Sequence, residues 1–190
     1  MGDETYSMAQ LASDLERACA TFDNERDIIV AVRPLARRAA LSKASWLDDR
    51  MYDADAVQGY GVHLLHEKPD HTQAIFAVSW LPNRGAPPHD HGTWAVVAGV
   101  DGAEKNAFYK RADDRTRTGY AELEKIGEKI CDVGDVVAMP SGTIHSVLNE
   151  TDVVTVSLHI YGKHVNHTIR SQFDIDKKTE TPFIVRMQHR

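Results

Sequence analysis

His89 and His91 stand one residue apart in the stretch PPHDHGTWAVV, and a third histidine, His145, lies in GDVVAMPSGTIHSVLN. Neutral imidazole is the commonest protein ligand for a metal, and its nitrogen suits iron, zinc, copper and nickel. On a β-strand, residues i and i+2 project to one face, so His89 and His91 point together while Asp90 points away. Such a pair chelates when its face looks into an enclosed interior, and reads equally as two ordinary polar residues when it stands at a loop end. The second stretch shifts that balance, because Gly134, Pro140, Gly142, His145 and Asn149 fall in the order G-x5-P-x-G-x2-H-x3-N. In that order Gly134 permits a tight turn into a strand, and Pro140 and Gly142 set the next turn.

A second polar cluster lies in VSLHIYG, where Ser157, His159 and Tyr161 recur at period two and so share one face of a strand. Val156, Leu158 and Ile160 take the opposite face. Either the polar face meets solvent, or the apolar face packs against helices and the polar residues enter an interior. There they would have to satisfy one another as a hydrogen-bonded chain. A hydrolase triad is not indicated, since Ser157 sits in mid-strand without a G-x-S-x-G elbow.

The elements that must position these residues are of two kinds. Residues 7–22 place Met8, Leu11, Leu15, Ala18 and Phe22 at helical spacing behind Ser7 as N-cap, and NERDIIVAVRPLARRAAL repeats the pattern with a kink or restart expected at Pro34. From about Gly59 the texture changes to short β-branched and aromatic runs: GYGVHLL, QAIFAVSWL, TWAVVAGV, KNAFYKR, DVVAMP, HSVLN and VVTVSLHIYG. Many short strands after a helical block predict a closed or sandwich-like antiparallel β unit with helices outside. The charged stretch 111–119 reads as a flexible loop, and Arg33, Arg37 and Arg38 as the solvated face of a helix.

At 190 residues and 42% hydrophobic content the chain suits one domain with a sizeable core. A net charge of −6 gives no electrostatic reason to expect nucleic acid or an anionic membrane as partner. Two cysteines, Cys19 and Cys131, make no disulfide framework, and neither a signal-like apolar region nor a run of about 20 apolar residues is present. The expectation is a cytoplasmic protein with reduced thiols.

The G-x5-P-x-G-x2-H-x3-N order is similar to the second motif of the cupin superfamily. The H-x-H pair resembles part of the first, without its usual glutamate: Ala95 and Val96 stand there. The resemblance implies a mainly β fold, the double-stranded β-helix or jelly-roll barrel, with residues 1–55 as external helices and 59–190 as the barrel of a single domain. It also implies that His145 enters the barrel opposite His89 and His91, giving three neutral ligands without a carboxylate. With S-x-H-x-Y added, the chain from about Tyr60 to Arg170 resembles the thiol dioxygenases, the cysteine dioxygenase branch of the cupins. That resemblance implies one Fe(II) on His89, His91 and His145, O2 as co-substrate, a Ser157–His159–Tyr161 relay, and a small-molecule thiol oxidised to its sulfinate.

Within that family, mammalian-type enzymes carry a crosslinking cysteine shortly after the H-x-H and an arginine two residues after an early tyrosine. Here Ala95 or Val96 occupies the first position, and Tyr60 and Val62 the second pair. The bacterial 3-mercaptopropionate dioxygenases instead place an arginine nine residues after the relay tyrosine, which is Arg170. The resemblance therefore favours 3-mercaptopropionate, with cysteine and mercaptosuccinate as alternatives, Arg170 as carboxylate ligand, and Tyr60 and Val62 beside the substrate. Trp94 and Trp80 read as core before substrate cage, and Trp94 lies close enough in sequence to His91 to shape the pocket. Another metal-dependent cupin enzyme, an isomerase or a carbon-cleaving dioxygenase, and a non-catalytic ligand-binding cupin are the competing readings. Monomer and homodimer both remain open. His63, His66, His71, His164, His167 and His189 have no ligand spacing, and most of them read as surface or strand-edge residues.

Overall fold

The computed structural model describes residues 6–188. Helix α1 (Met8–Thr21) begins at a capping box, in which the Ser7 hydroxyl accepts from the Gln10 N–H and the Gln10 side chain accepts from the Ser7 N–H. Helix α2 (Glu25–Leu41) is capped by Asn24 and runs through Pro34 as one element, so the restart expected there is not seen. The reason is one-sided burial. Val30, whose carbonyl a residue at 34 would bond, and Pro34 itself are exposed, while Ile29, Val32, Ala36, Ala39 and Ala40 are buried on either side of the proline. Two 3₁₀ turns, Lys43–Ser45 and Asp49–Tyr52, lead to the sheets.

Eleven strands follow among the described residues: β1 (Tyr60–His66), β2 (Thr72–Trp80), β3 (Gly85–His89), β4 (Ala95–Asp101), β5 (Glu104–Arg111), β6 (Leu123–Cys131), β7 (Val136–Met139), β8 (Ile144–Leu148), β9 (Thr155–Lys163), β10 (Ser171–Asp174) and β11 (Thr179–Pro182). They form two sheets, ordered β1-β2-β9-β4-β7 and β11-β10-β3-β8-β5-β6, with every strand pairing antiparallel. Eight of these strands, β2-β9-β4-β7 facing β3-β8-β5-β6, have jelly-roll order, so the fold is the mainly β double-stranded β-helix with N-terminal helices outside.

The strand period of two divides most of the buried apolar residues between two large cores, beside a small third cluster of Ala121, Ile144 and Phe173. Val96, Ala98, Val156, Leu158 and Ile160 pack with Leu11, Leu15 and Val32 between the first sheet and the helices. Ala95, Val97, Phe76, Val78, Val137, Met139 and Val147 fill the barrel. Four strands had no expected run of their own. β3 carries two prolines, β6 is an edge strand exposed along most of its length and so shows no apolar alternation, and β10 and β11 are four residues each.

Asn149, the last position of the G-x5-P motif, is fully buried and acts as a brace. Its Nδ2 donates to the carbonyls of Trp80 (3.0 Å), Leu81 (3.2 Å) and Val153 (2.8 Å), and its Oδ1 accepts from the backbone and hydroxyl of Thr151 at 2.9 and 2.7 Å. The amide thus ties the loop after β2 to the turn before β9. Asn149→Ala strands these buried carbonyls and should lower unfolding stability by at least about 2 kcal/mol, read as a lower urea midpoint with an unchanged slope.

Candidate metal centre

His89 ends β3 and His145 is the second residue of β8, and the two are direct cross-strand partners. Cross-strand partners present side chains to the same face, so both rings enter the barrel, with centroids 4.6 Å apart. His91 lies beyond the end of β3, not on it as the i, i+2 reading supposed. It is aimed by a pinned turn. The Asp90 N–H donates to Ser171 O (3.1 Å), the Asp90 carboxylate accepts from the N–H groups of Gly92 (2.9 Å) and Ser171 (3.2 Å), and the Thr168 hydroxyl donates to His91 O (2.8 Å). Gly92 has φ +63°, and a Cβ there would lie 2.5 Å from the Ile169 carbonyl, so only glycine suits the position.

One ligand atom from each of His89, His91 and His145 lies within 4.8 Å of the others, and no carboxylate belongs to this group among the described residues. The outer ring nitrogens are already engaged. His89 Nδ1–H donates to Pro87 O (2.8 Å) and His145 Nδ1–H to Asn106 Oδ1 (3.0 Å), which leaves Nε2 of each as a lone pair. His145 Nε2 faces His91 Nε2 at 3.3 Å, so a proton or a cation must lie between them. Burial holds the rings neutral: it pushes His89 down to about 4, and burial followed by repulsion from neighbouring rings holds His91 well below the usual histidine range, as it does His145. Three converging, neutral imidazole nitrogens fit a divalent transition metal, and no proton need leave before it binds.

Beside this cluster the β9 side chains alternate as the period of two requires, with Ser157, His159 and Tyr161 buried inside the barrel. Ser157 Oγ is 2.9 Å from His159 Nε2, and His159 Nδ1 is 2.8 Å from the Tyr161 hydroxyl. The Tyr161 and His91 ring centroids are 5.0 Å apart. Three residues absent from the sequence reading complete the network. Trp80 Nε1 donates to Ser157 Oγ (3.0 Å), Glu104 Oε2 meets that same oxygen (2.9 Å), and Asn106 Nδ2 donates to Glu104 Oε1 (3.3 Å) while its Oδ1 holds His145. A polar chain therefore runs without a break from His145 to Tyr161. Glu104 and Asn106 share the period-two face of β5, but in AEKNAFYKR the flanking charges make that face look like surface.

Arg170 is 6% exposed and lies in the segment before β10, its guanidinium 4.4 Å from the centre of the Phe183 ring. Its Nε and Nη2 have no hydrogen-bond partner, and Asp174, a possible surface partner, pairs with Lys177 instead. Arg170 lines a small, mainly apolar cavity together with His89, His145, Tyr161, Tyr60 and Val62. It also lines an outer cleft of about 590 Å³ that carries Arg115 and Arg117. Trp94 is elsewhere: it packs in the helix-side core, with its indole against Gly162. Nearness to His91 in sequence misplaced it, because the strand that starts at Ala95 turns it away from the barrel. His71 and His167 form a separate parallel stack, centroids 3.5 Å apart, and His189 lies outside the described residues.

No family model matches the chain. Among solved structures it aligns with an oxalate oxidase in complex with the substrate analogue glycolate, at 16% identity and TM-score 0.46 over 62% of this chain and 59% of that one. A cupin-like protein from Thermotoga maritima aligns at 16% identity and TM-score 0.42 over 63% and 84% of the two chains. A cupin superfamily protein from Desulfitobacterium hafniense aligns at 16% and 0.42 over 59% and 84%. The chain spans about three-fifths of the length of the oxalate oxidase it matches. The strand order, not these distant likenesses, defines the class: this is a cupin fold enclosing a three-histidine cluster able to hold a metal. Among the described residues no helix is long and apolar enough to cross a membrane.

Wild-type protein should bind one divalent transition metal per chain and His145→Ala none at stoichiometric level, measured by elemental analysis after dialysis. In the metal-free protein, stability should fall with acid. An unfolded histidine takes its proton near 6.5, whereas folded His89 waits until about 4 and His159 until about 3. Each therefore contributes stability that is complete above 6.5 and declines by about 1.4 kcal/mol per pH unit below it, down to the folded value. Urea titrations across that range measure the slope.

Proposed function

We propose that this chain is a non-haem iron thiol dioxygenase that oxidises a small thiol carboxylate to its sulfinate with O2, 3-mercaptopropionate being the favoured substrate. One observation carries the reading: a single buried cavity brings together two of the candidate ligands, Tyr161, and an arginine with two unpartnered nitrogens. The Asp90 carboxylate acts on Arg170 from a distance but is bonded to the backbone N–H groups of Gly92 and Ser171, and a buried guanidinium with no hydrogen-bonded anion is unfavourable, which suits the cavity to a ligand that brings one.

Iron on His89, His91 and His145 would supply the coordination of the thiol sulfur and the activation of dioxygen. The chain's own residues bind and orient. Arg170 takes the substrate carboxylate through its planar fork, and the apolar walls at Val62, Val78, Val147 and Phe183 exclude water from the two methylenes between carboxylate and sulfur. Tyr161, held by His159, directs its hydroxyl at the reacting groups. Cysteine would add an ammonium group to this space. The nearby carboxyls are already engaged, Glu104 with Ser157 and Asn106 and Asp90 with the backbone N–H groups of Gly92 and Ser171, which favours the thiol that lacks the amine.

Iron-loaded protein should consume O2 with 3-mercaptopropionate and release the sulfinate, identified by mass spectrometry. If no thiol in a panel with cysteine, mercaptosuccinate and cysteamine supports oxygen uptake, the reading fails, and turnover of a non-thiol substrate with Zn(II), Mn(II) or Ni(II) would replace it with another cupin chemistry. Arg170→Ala should raise KM for 3-mercaptopropionate roughly 10- to 150-fold, the factor implied by one lost charge-assisted contact, and Arg170→Lys should restore it only in part. Tyr161→Phe should keep the metal but slow turnover or uncouple oxygen uptake from sulfinate release.

A further inference from the structure

Ser157 has one hydroxyl hydrogen and three polar neighbours: Trp80 Nε1–H at 3.0 Å, Glu104 Oε2 at 2.9 Å and His159 Nε2 at 2.9 Å. The indole can only donate, so it occupies one lone pair of Oγ. The serine hydrogen then goes either to the carboxyl or to the imidazole, and the choice propagates along β9. An ionised Glu104 can only accept. Ser157 would donate to it, His159 would donate from Nε2, and the bare Nδ1 would draw the Tyr161 hydrogen away from the cavity. A protonated Glu104 reverses every bond: it donates to Ser157, Ser157 to Nε2, and Nδ1–H to the tyrosine oxygen.

We propose that Glu104 is a neutral carboxylic acid that sets the direction of this chain and so turns the Tyr161 hydroxyl hydrogen toward the substrate cavity. It is a positioning residue, acting through Ser157 and His159, and the inference deepens the reading in which Tyr161 serves as donor to the reacting groups.

The neighbours fix which oxygen carries the proton. Asn106 Oδ1 already accepts from His145 Nδ1–H at 3.0 Å, so its amide nitrogen must face Glu104, and Oε1 accepts from it at 3.3 Å. Oε2, against Ser157, is left for the hydrogen. The groups that face Glu104 are Trp80 from β2, Asn106 along β5, Cys131 across the ladder from β6, and Ser157 with His159 and Tyr161 beyond it on β9. None is a cation: burial pushes the Cys131 thiol up to about 12 and His159 down to about 3. Glu104 itself is 3% exposed, and burial is the largest influence on it, raising its carboxyl above the usual range against the smaller opposing pull of its hydrogen bonds.

The tautomer of His159 reports the direction. In ¹⁵N-labelled full-length protein, metal-free and zinc-loaded, the His159 resonances are assigned by their loss in His159→Gln. Wild type should show the Nδ1–H tautomer. Glu104→Gln should show it too, because the amide nitrogen donates to Ser157 while its oxygen still accepts from Asn106. Glu104→Ala, with no donor, should lose the single tautomer. The infrared band of a buried carboxylic acid should be present in wild type and lost in Glu104→Gln. An Nε2–H tautomer in wild type that flips in Glu104→Gln, or a wild-type spectrum without the acid band, overturns the proposal. If Glu104→Ala does not fold, the wild-type and Glu104→Gln spectra still decide it. None of these readouts needs thiol turnover, so a preserved tautomer pattern in a protein that oxidises no thiol would leave the relay direction standing and remove the dioxygenase reading alone.

Discussion

The interior of a closed β-barrel offers its polar groups no water, and β9 crosses that interior with a histidine, a serine and a tyrosine on one face. β9 lies between β2 and β4, and its other face is packed under the helices, so none of the three can turn to solvent. Each must be satisfied by something else inside. The rest of the site follows from that constraint: Trp80 reaches over from β2, Glu104 and Asn106 from β5, and the chain closes on a ring nitrogen of His145. A fully partnered network of this kind holds its members to one rotamer each, which is what a site needs if its atoms are to meet a small substrate at fixed distances.

Arg170 is the exception that gives the network its polarity. Everything else in the barrel is neutral or partnered, since burial keeps the histidines uncharged and the Tyr161 hydroxyl protonated. Burial also draws Arg170 below its ordinary value, yet a guanidinium stays protonated at any physiological pH. Its charge makes the cavity a locally positive region in a protein whose net charge is −6, and a dication on the histidines would deepen it.

What the sequence made legible was periodic or tightly spaced. The Ser7 N-cap of α1, the alternation of β9, and the turn glycines Gly134 and Gly142 each depend on residues close in the chain, and each stands in the structure where the spacing puts it. What it concealed depends on partners distant in the chain. Glu104 has the composition of a surface residue, and only the facing of the two sheets brings it beside Ser157, as the β5–β8 pairing brings Asn106 near His145. The His89–His91 spacing pointed to two members of the histidine cluster for an incomplete reason: β3 supplies the first ring, and the Asp90–Ser171 clasp the second. Trp94 shows the converse, a residue adjacent in sequence and on the wrong side of the sheet.

The prolines of β3 have a further effect. Pro87 and Pro88 lie in an interior strand of the second sheet, where the ladder to β8 is irregular between Ala86 and His89. Having no N–H to contribute, they leave a gap in the pairing, and the Pro87 carbonyl accepts from His89 Nδ1. Two consecutive locked φ angles also stiffen the segment just before the first ligand, and the clasp at Asp90 stiffens the segment just after it. An arm held in this way would give up little conformational entropy to an arriving ion. Metal capture in such a scaffold would be a local event at a site already arranged, separate from the folding of the chain that carries it.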